Sequence, residues 1–268
     1  MTDLLPPHRH WDRGGKRPLL ALHCSLAHAG AYSGLAQALH GVTLTAMDFI
    51  GHGKARDWDG VEDYHRAATA DALAMAEDLS QGKPLDVIGH SFGGTVALRI
   101  AATRPDLVRS LTLIEPVFFA AARAADDPDW DAFIDEHHSF GALVAHGDRV
   151  EAARQFHALW GGGEPFDTLP ARMQSYMAER IHLITAPWPM VLDDNAGLLA
   201  PGRLEAIRVP VLLVEGSQSP PIVAAVNKAL ARRLPHANRM TVPEAGHMLP
   251  ISHPTQLAAL MVAHLAVC

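Results

Sequence analysis

The chain has 268 residues, enough for one α/β domain with a substantial core, and 49% are apolar against 19% charged. Twenty-two Lys and Arg against 29 Asp and Glu leave a net charge of −7, so charge makes no case for nucleic acid or an anionic membrane. The 17 histidines add positive charge below about pH 6.5, so the acidic balance is conditional.

The opening M-T-D-L-L-P-P-H-R-H, Met1 to His10, has no basic region followed by a long apolar run, and a signal peptide is not expected. The first strand is expected at P-L-L-A-L-H, Pro18–His23, and the second at V-T-L-T-A-M, Val42–Met47. A helix follows over Asp63–Gln81, stopped by Gly82 and Pro84. P-L-D-V-I-G, Pro84–Gly89, reads as a strand, and Phe92–Arg104 as a helix ending before Pro105-Asp106. S-L-T-L-I-E, Ser110–Glu115, is the next strand. These short apolar runs suit strands covered on both faces.

The rhythm then breaks. From Pro116 to about Ala206 there are helix-like patches but no clear strand, and ten of the chain's 16 aromatic residues lie there. Phe118, Phe119, Phe133, Phe140, Phe156, Trp160, Phe166, Tyr176 and Trp188 are among them. A ring-rich helical insertion between two core strands is expected to cap a pocket, with a subset of the rings lining it. Gly161-Gly162-Gly163 is a turn within it, without a phosphate-binding pattern.

Strand signals resume at V-P-V-L-L-V-E, Val209–Glu215. A helix from Pro220-Pro221 to Leu234 follows, then a strand at Arg239–Val242 and a last helix from about Pro254. Alternating strands and helices predict a mostly parallel doubly wound sheet with helices on both faces. The expected division is a core of 1–115 and 207–268 with a helical cap at 116–206. No apolar run approaches the roughly 18 residues a membrane span needs. Two cysteines, Cys24 and Cys268, cannot make a disulfide framework; free thiols in a cytoplasmic setting are expected.

The chemistry centres on V-I-G-H-S-F-G-G, Val87–Gly94. G-x-S-x-G between a strand and a helix presents Ser91 on a strained turn, with flanking glycines because neighbouring backbones pass within Cβ distance. A serine hydroxyl needs a base to attack. His247, in E-A-G-H-M-L-P between the last strand and last helix, is the best placed; most other histidines read as surface residues. His137-His138 lacks a companion ligand set, so no metal is expected.

Together, G-H-S-F-G-G, H-C-S-L (His23–Leu26), D-F-I-G-H-G (Asp48–Gly53) and G-H-M (Gly246–Met248) resemble the α/β-hydrolase family over about residues 18–115 and 207–268. The resemblance implies an oxyanion hole made by the backbone N–H groups of Phe92 and Ser25. Family members usually have His-Gly where this chain has His23-Cys24, and Cys24 reads as a small buried residue. Asp48 and His52 are expected to shape a turn.

The pattern departs at the acid. The family's usual position, after the penultimate strand, is Ser219 in V-E-G-S-Q-S-P-P, and a serine holds no permanent negative charge; little effect is expected from its loss. Glu115, one strand after the nucleophile, is the expected replacement, as in similar family members with an acid there. It preserves the order Ser91, Glu115, His247. Glu215, Asp193 and Asp194 are weaker competitors. The expected activity is cofactor-free serine hydrolysis of a small-molecule ester or related acyl compound with an apolar or aromatic part. The alternatives are C–C bond hydrolysis on the same residues and a non-hydrolytic binding protein or lyase, the last favoured if Glu115 is misplaced.

Overall fold

The computed structural model describes residues 5–268; the first four residues of the segment read for a leader lie outside the described residues. Seven strands form one sheet in the order β1-β3-β2-β4-β5-β6-β7. They are β1 (His8–Asp12), β2 (Pro18–Leu22), β3 (Thr43–Met47), β4 (Leu85–His90), β5 (Val108–Ile114), β6 (Val211–Gly216) and β7 (Ala237–Val242). All neighbours pair in parallel except β1, which runs antiparallel to β3 with His8 opposite Met47. The mostly parallel doubly wound sheet is therefore as expected.

The α-helices among the described residues are α1 (Ser33–Ala38), α2 (Tyr64–Ser80), α3 (Phe92–Thr103), α4 (Ala120–Ala124), α5 (Trp130–His146), α6 (Arg149–Trp160), α7 (Ala171–Arg180), α8 (His182–Thr185), α9 (Trp188–Val191), α10 (Pro221–Arg233), α11 (Leu249–Ser252) and α12 (Pro254–Leu265). Alternation along the strands divides the core. Leu20, Leu22, Val87, Leu111, Leu113, Val211 and Leu213 face α2, α3 and α10. Leu19, Ala21, Leu44, Ala46, Ile88, Leu212 and Val214 face α1 and α12. A strand with apolar residues at both parities can be buried only between two helical layers, which is why the continuous apolar runs of β2, β4 and β6 sit centrally.

β1 is a strand that the sequence signals missed. H-R-H-W-D has no apolar run, and four of its five residues are exposed. It forms because the outer edge of β3 offers unpaired backbone groups, and Trp11 packs against the core behind it. Between β5 and β6 the described chain is helical without a strand, and part of it has a small core of its own, including Phe140, Phe166, Met177 and Ile181. Among the described residues no helix is long and apolar enough to cross a membrane.

Candidate active site

Parallel strands bring their carboxyl ends to one edge, and the expected residues gather there. Ser91 follows β4 directly, with φ +56° and ψ −119°. A side chain in that region costs about 1–3 kcal/mol, so the turn must be held from several sides. The Ser91 N–H donates to the Ile114 carbonyl at 2.9 Å, and the Ser91 carbonyl accepts from Gly94 at 2.9 Å. A Cβ on Gly89 would lie 2.2 Å from the Gly93 carbonyl oxygen, and one on Gly93 would lie 2.2 Å from the Leu22 carbonyl oxygen. Both glycines are therefore steric requirements of the elbow. Phe92 opens α3, so its N–H has no acceptor within the helix and is free for another group.

Glu115 is the residue after β5, fully buried and itself at φ +46°. That turn sends its carboxylate sideways, across β6, to the loop after β7. Oε2 accepts from His247 Nδ1 at 2.6 Å. Oε1 accepts from the Gly216 N–H at 2.6 Å and from the Ser219 hydroxyl at 2.5 Å. Both carboxylate oxygens are thus occupied by donors, which offsets the cost of burying the group. With Nδ1–H donating to Glu115, Nε2 is the ring atom of His247 left to take a proton.

Ser219, from whose loss little effect was expected, donates its hydroxyl to the same carboxylate. It stands at the family's usual acid position and shares the carboxylate with His247. Glu215 is occupied elsewhere, by Asn227 at 2.8 Å and Arg239 at 2.8 Å. Asp193 pairs with Arg123, and Asp194 accepts from the Leu198 and Leu199 amides, so neither reaches His247.

His90 is a second residue that motif reading passed over. Its Nε2 lies 2.8 Å from the His247 carbonyl oxygen and fastens the histidine loop to β4. Burial and the neighbouring His247 hold the His90 ring neutral, far below the ordinary histidine range. His23, His52, His65, His137 and His264 are buried too, exceptions to the expectation that most other histidines lie at the surface. His23, His52, His65 and His90 are held by pairing: a neutral imidazole offers one donor and one acceptor.

His23 and His52 do this in the loop after β2. His23 Nδ1 lies 2.7 Å from the Cys24 carbonyl oxygen, and Nε2 accepts from the Phe49 N–H at 3.1 Å. His52 Nε2 accepts from the Leu26 N–H at 2.9 Å, with Nδ1 at 3.0 Å from the Ile50 carbonyl oxygen. Desolvation lowers the pKa of His23 to about 4 and that of His52 to about 3, so both hold the Cys24–Leu26 turn as neutral rings. Asp48 completes the frame, accepting from Ala29 at 2.7 Å and Lys54 at 2.9 Å. Burial raises the Cys24 thiol to about 12, which leaves it un-ionised and unreactive at neutral pH.

Ser91, His247, Phe92, Cys24 and Ser25 line one cavity of about 60 Å³. The helical insertion supplies its other walls, chiefly Phe119, Phe156, Trp160 and Trp188. Trp160 stands edge-on to the His247 ring, with centroids 4.7 Å apart. A groove of about 740 Å³ adjoins through Ser25, Phe156, Trp160 and Met248 and continues past Tyr176 and Arg172. Among the described residues no group of three or more His, Cys, Asp or Glu could hold a metal ion.

A family model described as alpha/beta hydrolase fold matches residues 17–254. The chain belongs to the α/β-hydrolase family. Within this α/β-hydrolase group, it is 28% identical to a lipase, LipV, of Mycobacterium tuberculosis, over 96% of each chain. It is 31% identical to a pimeloyl-[acyl-carrier protein] methyl ester esterase of Neisseria meningitidis serogroup B, over 81% of this chain and 80% of the relative. A hydrolase from Pseudomonas aeruginosa superposes with a TM-score of 0.75 at 20% identity, covering 96% of this chain and 93% of that one; this likeness concerns the fold.

Proposed function

We propose that this α/β-hydrolase is a serine esterase whose catalytic residues are Ser91, His247 and Glu115. The observation that carries the reading is the 2.6 Å contact between Glu115 Oε2 and His247 Nδ1, on a histidine that shares a cavity with Ser91. Ser91 Oγ attacks the ester carbonyl while His247 Nε2 takes its proton. Glu115 fixes the ring's tautomer and stabilises the imidazolium. The Phe92 and Ser25 N–H groups receive the developing oxyanion; one such donor is typically worth about 3 kcal/mol of barrier. His247 then protonates the departing alcohol. The same histidine activates the water that releases the acid and restores Ser91.

Residues 116–206 act as the cap over this site, with 1–115 and 207–268 as the core. The substrate is a small-molecule ester whose acyl or aromatic part is apolar, in keeping with the rings lining the cavity. Ester cleavage is also what the lipase and methyl ester esterase relatives are named for. The two free cysteines fit a reducing, cytoplasmic setting. The binding-protein alternative depended on a misplaced Glu115, and the Glu115–His247 contact removes that support.

A fluorophosphonate tests the reading. It is expected to label Ser91 stoichiometrically and to leave Ser91→Ala untouched, while the wild type hydrolyses p-nitrophenyl esters. Absence of both labelling and turnover in folded protein would remove the proposal.

A further inference from the structure

His137 is a polar residue placed where only apolar ones were needed. It lies on α5 and is 7% exposed, among Phe133 (ring centroids 4.2 Å), Phe119 (5.4 Å) and Trp188 (5.4 Å). Its ring lines the same cavity as Ser91 and His247. Yet it makes no hydrogen bond to any described residue, unlike His23, His52, His65 and His90, which all have partners. Its ring nitrogens are not among the fully enclosed unpartnered polar atoms and stay accessible at the cavity wall, where a phenylalanine would fill the space and offer no hydrogen bond. Desolvation lowers the ring's pKa to about 4, so at neutral pH it is an uncharged donor and acceptor.

A second cavity of about 20 Å³ lies behind it, also lined by His137, with Gln155 Oε1 buried and unpartnered at its wall. That volume suits a single water, which would occupy the rear of the polar site and leave the ring's other edge to the substrate.

We propose that His137 is a specificity-determining residue that hydrogen-bonds a neutral polar group, such as a keto oxygen, partway along the acyl chain of the substrate. This rests on the esterase reading above. The cavity of about 60 Å³ fits a short acyl chain of a few heavy atoms, with the leaving alcohol in the larger groove. A neutral imidazole rules in uncharged acceptors or hydroxyls and gains no ion pair from a carboxylate. A site that hydrogen-bonds its substrate discriminates sharply against the analogue lacking that group, because its own polar atom is then left unpaired.

The test compares p-nitrophenyl 4-oxopentanoate with pentanoate, and 5-oxohexanoate with hexanoate, with rates in Ser91→Ala subtracted. In the wild type, at least one oxo ester is expected to exceed its plain partner in kcat/KM by about tenfold. His137→Phe is expected to abolish that preference by lowering kcat/KM for the oxo ester by about tenfold more than for its plain partner, and His137→Gln to keep part of it. Equal rates for both pairs in the wild type, or an undiminished preference in His137→Phe, overturns the role of His137 and leaves the esterase reading standing. No turnover of any ester, with no labelling of Ser91, overturns both.

Discussion

Two carboxylates are buried at opposite ends of the same sheet, and their surroundings differ. At the amino end, Asp86 on β4 is 1% exposed and is held by Arg17 at 2.5 Å, Arg109 at 2.9 Å and the Ser110 hydroxyl at 2.6 Å. Burial pushes its pKa up, but these hydrogen bonds outweigh it and hold Asp86 below the usual carboxylate range. At the carboxyl end, Glu115 is equally buried, but its partners are a backbone N–H, a hydroxyl and an imidazole. Two permanent cations neutralise the first charge and make it a clamp, which also fixes α12 through Arg17 and the Leu265 carbonyl. The second charge has no fixed cation, so it remains available for the imidazolium that forms when Ser91 gives up its proton. Burial is common to both; the kind of donor separates structure from chemistry.

That contrast can be broken from either end. Ser91→Ala is expected to lower kcat by about 10⁵-fold or more on a p-nitrophenyl ester, with an unchanged melting curve. Asp86→Asn is expected to do the opposite. Stability falls by about 2–4 kcal/mol in urea titration, because two arginines lose their buried partner, while kcat at a permissive temperature stays within about twofold. A large kcat loss in folded Asp86→Asn would erase the distinction. Ser219→Ala removes one donor to Glu115 and is expected to reduce kcat by about tenfold, measured under saturating substrate.

Acid sharpens the comparison further. His23, His52, His65 and His137 have folded pKa values of about 4, 3, 3 and 4, depressed first of all by desolvation. The unfolded chain therefore binds more protons below about pH 6.5, and stability is lost as pH falls from there towards the folded values. Asp86, also depressed, adds a loss that begins only below about pH 4. Urea titrations between pH 7 and 4 are expected to show stability falling by about 1.4 kcal/mol per pH unit for each such histidine near pH 5, and His65→Gln is expected to flatten the slope. A flat profile over that range would contradict neutral burial of these rings.

Much of this was readable in the residues. The apolar runs of β2 to β6 fall where strands form, because a strand buried on both faces must be apolar at both parities. The elbow was legible from two glycines whose Cβ positions are taken by neighbouring carbonyls. Glu115 was legible because the end of β5 meets the same sheet edge as Ser91 and His247. β1 was not, since its stability comes from the open edge of β3 and not from its own polar residues. The partners of Asp86, the service of Ser219 to Glu115 and the burial of six histidines were hidden for another reason. Each depends on which side chains from distant segments meet, and local pattern does not carry that.

The most direct measurement is kcat of Glu115→Gln on a p-nitrophenyl ester, with folding verified by circular dichroism and a melting curve. Loss of the carboxylate with retention of shape is expected to lower kcat by about 10³–10⁴-fold, because the ring loses its tautomer control and the imidazolium its counter-charge. A folded Glu115→Gln enzyme with wild-type kcat would show that His247 primes Ser91 without this carboxylate, contrary to the account.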